Sequence, residues 1–129
     1  MAEHPDAELL RQGYDAFARG DLETVGSLFD EAINWHVTGG PLAGTYKGTQ
    51  QVFGFFGQLF ERSGGTFRLE IHDMLASDEH VVVLVREQAE REDQVFNANA
   101  VHVWHVRGNK ATEFWGIPAD VGAFERFWA

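Results

Sequence analysis

The chain has 129 residues, with ten Lys and Arg against twenty Asp and Glu, for a net charge of −10. That length suits one domain around one core. The acidic balance disfavours partners made of nucleic acid or anionic membrane, and the absence of cysteine excludes disulfides, thiol catalysis and cysteine-ligated metal.

The start, Met1 to Asp6, has no basic run and no apolar run, and no stretch approaches a membrane span. The simplest expectation is a cytoplasmic protein. Eleven Phe and four Trp exceed what a small core needs and point to an aromatic cavity or a buried interface.

Pro5 to Arg19 reads as a first helix. Pro suits a first turn, Asp6 and Glu8 suit its positive end, and Leu10, Gly13, Tyr14 and Phe17 share a face. Gly20 stops it. Asp21 is placed to cap a second helix that runs to about Glu31. Ala32 to Val37 is a short strand, and the glycine-rich run from Thr38 to Gly48 is expected to be loop throughout. Thr49 is placed to cap a third helix, about Gln50 to Arg62, with the apolar stripe Val52, Phe55, Phe56 and Leu59.

Phe67 to Leu75 alternates as a strand does. Val81 to Gln88 begins as a continuous apolar run, and either Arg86 or Glu87 at its end must face inward, where a charge needs a partner. Glu90 to Asp93 is a charged turn. Val95 to Pro118 then reads as two long strands joined by a tight hairpin. A three-residue loop puts Asn109 in a left-handed position and pairs Val106 with Lys110 and His102 with Phe114. A two-residue loop, Gly108-Asn109, puts His102 opposite Trp115 instead. The first is preferred because it gives Asn109 a conformational role. It places His102, Trp104, Val106, Thr112, Phe114 and Gly116 on one face. Val101, Val103, His105, Ala111, Glu113, Trp115 and Ile117 share the other. Asp120 to Trp128 closes the chain as a short helix capped by Asp120.

Three helices with one early strand, then four consecutive strands, give an α+β fold: a single domain, residues 1–129, with helices packed in a strongly curved antiparallel or mixed sheet around a conical pocket. The phrases Tyr14-Asp-Ala-Phe17, Gly20-Asp21, Leu28-Phe29, Ile33-Asn-Trp-His36, Pro41-Leu-Ala-Gly44 and Tyr46-Lys-Gly48 carry a likeness. So do Val103-Trp-His-Val-Arg107, Glu113-Phe-Trp115 and Pro118-Ala-Asp120. Over nearly its whole length the chain resembles the nuclear-transport-factor-2-like superfamily, in its SnoaL-like polyketide cyclase and ketosteroid-isomerase-related branch. The resemblance implies a cone-shaped cavity, no metal, no organic cofactor, and dimerisation through the outer sheet face. Its base position falls on Trp35 or His36, its helix-one tyrosine position beside Tyr14, and its sheet aspartate position on His102.

Two functions follow as expectations. One is a cofactor-independent acid–base enzyme of isomerase, cyclase or lyase type, acting on a small apolar carbonyl compound. His36 would move the proton and His102 would steady the oxyanion. Tyr14, Trp35, Phe56, Trp104 and Phe114 would bind the substrate. The other is a non-catalytic module that uses the same cavity for a small hydrophobic ligand, or that serves dimerisation. A homodimer is expected through Val101, Val103, Trp115 and Ile117. His102 and His105 lie three apart on one strand and so point to opposite faces, which argues against a metal centre built from them.

Overall fold

The structure is a computed structural model and describes residues 3–129. Helix α1 spans Pro5–Ala18, with the His4 ring accepting from Asp6 N–H at its start. Helix α2 is Leu22–Ser27, capped by Asp21, which accepts from Thr24 N–H. Then come β1 (Phe29–Val37), β2 (Gly44–Lys47), α3 (Gly48–Arg62), β3 (Arg68–Ala76), β4 (His80–Arg91), β5 (Gln94–Arg107), β6 (Lys110–Pro118) and α4 (Val121–Trp128). Asp120 caps α4 by accepting from Ala123 N–H.

The architecture is α+β. The six strands form one curved sheet in the order β2-β1-β6-β5-β4-β3, with α1, α3 and α4 supplying the apolar layer against it. The α3 stripe Val52, Phe55, Phe56 and Leu59 is buried as its spacing demands. Along β4 burial alternates strictly: Val81, Val83, Val85, Glu87 and Ala89 are inside and their neighbours half out, the two-residue period of a strand with one covered face. Trp128 is fully buried, and its helix is tied down by Arg62, which donates to the Trp128 carbonyl, and by Arg91, which donates to Phe127 and Ala129.

Several boundaries differ from the sequence reading. The glycine-rich run is not loop throughout, because Gly44–Lys47 pairs antiparallel with β1, from Val37↔Gly44 to Asn34↔Lys47. Four largely exposed residues at a sheet edge leave no apolar alternation to betray them. The second helix stops at Ser27, because Leu28 C=O accepts from Ala111 N–H and starts β1 in parallel beside β6. The sheet is therefore mixed. Thr49 does not cap α3. Lys47 holds that position and its N–H is taken by Gln51 Oε1 at 2.8 Å. The charged turn narrows to Glu92-Asp93, with β4 running on to Arg91.

The long hairpin closes through the two-residue loop Gly108-Asn109, with Arg107 opposite Lys110. Gly108 (φ +56°) and Asn109 (φ +63°) are both left-handed, the geometry that matches strand twist in tight hairpins. Neither register anticipated from sequence holds, because Thr112 is an extra residue between the pairs Val106↔Ala111 and His105↔Glu113. This bulge puts His102 opposite Gly116 and Trp104 opposite Phe114. His102, Trp104, Phe114 and Gly116 still share the inner face, while Ala111 moves inside and is fully buried.

The turn conformation makes a stability test. Asn109→Gly is expected to keep stability within about 0.5 kcal/mol, and Asn109→Val to lower it by about 1–2 kcal/mol, the cost of a left-handed residue with a β-branched side chain. Urea denaturation midpoints at constant m-value check both.

Candidate functional site

The inward residues of β4 and β5 converge with α1 on one cavity. Of its lining, Tyr14, Glu87, His102 and Trp104 carry polar atoms that bear on one another, and most of the remainder is aliphatic or aromatic. The cavity has a volume of about 90 Å³. Glu87 is the inward charge of the Arg86-Glu87 pair. Arg86 turns out and donates to Asn97 Oδ1 at 2.9 Å.

The polar groups form a line. Trp104 Nε1–H donates to Tyr14 Oη at 3.1 Å. Tyr14 Oη lies 2.6 Å from His102 Nδ1. His102 Nε2 lies 3.9 Å from Glu87 Oε2. Tyr14 Oη already accepts from Trp104, and a proton donated by it to Nδ1 would leave the His102 ring proton on Nε2, on the side of the Glu87 carboxylate. Indole nitrogen can only donate, whereas a hydroxyl can donate one hydrogen bond and accept others. His102 is 6% exposed and Glu87 9%. Burial raises the Tyr14 pKa well above its ordinary value, with Glu87 adding to the rise and the Trp104 bond opposing it. Tyr14 therefore remains a neutral hydroxyl.

Aromatic rings frame this line. Trp35 stacks on Phe114 with centroids 3.7 Å apart, Phe56 meets Trp35 edge-on at 5.3 Å, and the His102 ring meets Phe114 at 4.9 Å. Tyr14, Trp35, Phe56, Trp104 and Phe114 all line the cavity. Trp35 Nε1–H is buried and has no acceptor among the described residues.

His36 is not in this group, which corrects the expectation that it reaches the cavity beside His102. It follows inward-facing Trp35 by one residue on β1 and so points to the outer face. There its Nδ1 pairs with Thr45 Oγ1 at 2.9 Å and its Nε2 with Glu113 Oε2 at 2.6 Å, and its ring stacks on Trp115. The carboxylate that does reach the cavity, Glu87, was visible in the sequence as an unavoidable inward charge. Which of Arg86 and Glu87 turned in needed the register of β4 to settle.

The profile of the SnoaL-like domain family matches residues 10–114. Along its whole length the chain is 30% identical to Rv0034 of Mycobacterium tuberculosis, an uncharacterised protein that it covers completely. Bal32a, from a soil-derived mobile gene cassette, has 32% identity and a TM-score of 0.93 over 96% of each chain. IdmH of Streptomyces antibioticus, a proposed polyketide cyclase, is similar in fold, with a TM-score of 0.78 at 16% identity over 98% of this chain and all of IdmH.

The buried tyrosine makes an alkaline test. A hydroxyl whose folded pKa is raised stabilises the fold fully below its unfolded value, near 10, and loses that contribution as pH rises above it. Wild-type stability is expected to fall above about pH 10. Tyr14→Phe should flatten that fall while costing about 1–3 kcal/mol at neutral pH, because Trp104 and His102 lose a buried partner. Urea titrations at pH 7 and across the alkaline range measure both effects.

Proposed function

The chain belongs to the SnoaL-like family, and from that premise we propose that it is a cofactor-independent acid–base enzyme that enolises a small, largely apolar carbonyl compound. The observation that carries this reading is the Tyr14–His102–Glu87 line in an apolar cavity. A carbonyl oxygen and its α-carbon lie about 2.4 Å apart by standard bond lengths. The 3.9 Å between His102 Nε2 and Glu87 Oε2 therefore leaves room for His102 Nε2–H to donate to the oxygen while Glu87 takes the proton from the α-carbon. The electron pair of the broken C–H bond moves into the enolate, and negative charge gathers on the oxygen.

That charge would be met by a donor held in place beforehand, which is where such stabilisation is largest. Tyr14 keeps the His102 proton on Nε2, and Trp104 keeps Tyr14 aimed at His102. Return of the proton to a different carbon gives isomerisation. Attack of the enolate on a second carbonyl gives ring closure. The unpaired Trp35 Nε1–H would suit a second substrate oxygen. Glu87 thus takes the role first expected of His36.

The apolar character of most of the lining also fits a binding module without catalysis, and one experiment separates the two. Small cyclic ketones and β-diketones are incubated in deuterium oxide with the protein, and α-deuteration is followed by NMR while binding is followed by tryptophan fluorescence. Wild type is expected to speed exchange, and Glu87→Gln to lose about 10²–10⁴-fold while still binding. His36→Ala should leave exchange unchanged. Binding with exchange no faster than buffer would establish the module instead.

The outer face supports a proposal about assembly. Val101, Val103 and Trp115 are half-buried there and Ile117 is exposed, a patch that a second copy would cover. Sedimentation at micromolar concentration is expected to show a dimer that Val103→Asp with Trp115→Asp converts to monomer.

A further inference from the structure

At the other end of the outer face, away from Ile117, lie two histidines that the cavity does not use. His80 opens β4 and is paired directly across from His105 on β5. Their Nε2 atoms are 2.6 Å apart with ring centroids at 4.4 Å. The second nitrogen of His105, Nδ1, lies 3.7 Å from Glu113 Oε1. The other Glu113 oxygen is held by His36 at 2.6 Å, so the carboxylate is fixed between the two rings. We propose that His80 and His105 form a binding site for a divalent late transition-metal ion, Cu²⁺ or Ni²⁺ ahead of Zn²⁺, with Glu113 as the residue that orients His105.

A metal-bound imidazole ordinarily gives its far N–H to a carboxylate, which fixes the tautomer and raises the basicity of the ligating nitrogen. Glu113 Oε1, 3.7 Å from His105 Nδ1, is just beyond hydrogen-bond reach in the metal-free chain and would close on that nitrogen as the ring turns to the ion, leaving the Nε2 lone pair free. In the metal-free chain that lone pair can accept from His80 Nε2–H. On binding, His80 moves its proton to Nδ1 and both Nε2 lone pairs go to the ion, with no net loss of protons from neutral rings. His36 is no ligand, since Thr45 and Glu113 occupy its two nitrogens.

The spacing selects among ions. With metal–nitrogen bonds of about 2.0–2.1 Å, two nitrogens at a right angle sit about 2.9 Å apart, and at a tetrahedral angle about 3.3 Å. From 2.6 Å the rings must open by about 0.3 Å for the first and about 0.7 Å for the second. His80 is exposed, so the smaller movement is easily made. The right-angled geometry is that of Cu²⁺ and Ni²⁺, and Cu²⁺ also heads the affinity order for nitrogen sites. Among the described residues no group of three or more His, Cys, Asp or Glu side chains could hold an ion. The remaining positions therefore belong to water, and the ion would staple β4 to β5.

Calorimetric titration of the untagged full chain with Ni²⁺ and Zn²⁺ tests this, alongside thermal melts with each ion. One Ni²⁺ is expected per chain, with a raised melting midpoint and Zn²⁺ weaker. His80→Ala and His105→Ala should each weaken Ni²⁺ by more than about tenfold and abolish the thermal shift. Glu113→Gln should weaken it by about tenfold, the size of a lost orienting carboxylate. His4→Ala and His72→Ala should leave it unchanged. The proposal fails if Ni²⁺ does not bind, if His4→Ala removes binding while His80→Ala keeps it, or if both pair variants bind as wild type does. In those cases the two rings share a hydrogen bond only.

Discussion

The hydrogen bond between Tyr14 and His102 joins the first helix to the middle of the sheet, inside an apolar cavity where the imidazole is buried and the tyrosine half-buried. Leaving either unpaired there would cost more than the bond itself returns in water. That asymmetry fixes the rest. Tyr14 must approach β5, so α1 lies across the cavity. Trp104, two residues from His102 on the same face, then finds the tyrosine oxygen within reach of its N–H. The imidazole turns its other nitrogen, Nε2, toward the carboxylate of β4. The polar line is continuous because each of its members has few other choices.

The second constraint is the two-residue period of the strands. It sorts the histidines between environments with no cost in sequence length. His102 is inside, whereas His36, His80 and His105 are outside. One residue separates Trp35 in the cavity wall from His36 on the outer face. That single step puts His36 on the outer side of the sheet, while the carboxylate that lines the cavity is Glu87. No local signal marks the difference, because both residues are large, both suit a strand, and neither face of β1 is simply polar.

What the sequence made legible had a strong local cause. Asp21 and Asp120 cap the helices expected of them. The α3 stripe is buried, and the inner face of the hairpin carries His102, Trp104 and Phe114. The failures have local physical reasons too. β2 is short and exposed at an edge, so pairing and not composition defines it. The loop was misjudged by one residue because Gly108 and Asn109 can both take left-handed geometry, and a bulge at Thr112 then repaired the facing of Phe114. A turn and a bulge that offset each other cannot be separated by pattern alone. The pairing of His80 with His105, 25 residues apart along the chain, depends on the register of two adjacent strands, which periodicity does not determine.

The sheet carries a carboxylate–histidine pair on each face, and comparing them shows why distance is a poor guide to chemistry. The outer pair, Glu113 with His36, is in contact at 2.6 Å with both side chains 29% exposed. The inner pair, Glu87 with His102, is separated by 3.9 Å with side chains 12% and 8% exposed. The outer pair is already satisfied and competes with water, so its electrostatic worth is modest. The inner pair sits where charges interact strongly, and the two groups are close enough to act on one small molecule yet not bonded to each other. A small molecule lying beside the two groups could meet both at once. The open pair in the apolar cavity is thus better placed to meet one small molecule at both groups than the closed pair on the outer face, whose Glu113 turns its second oxygen toward His105.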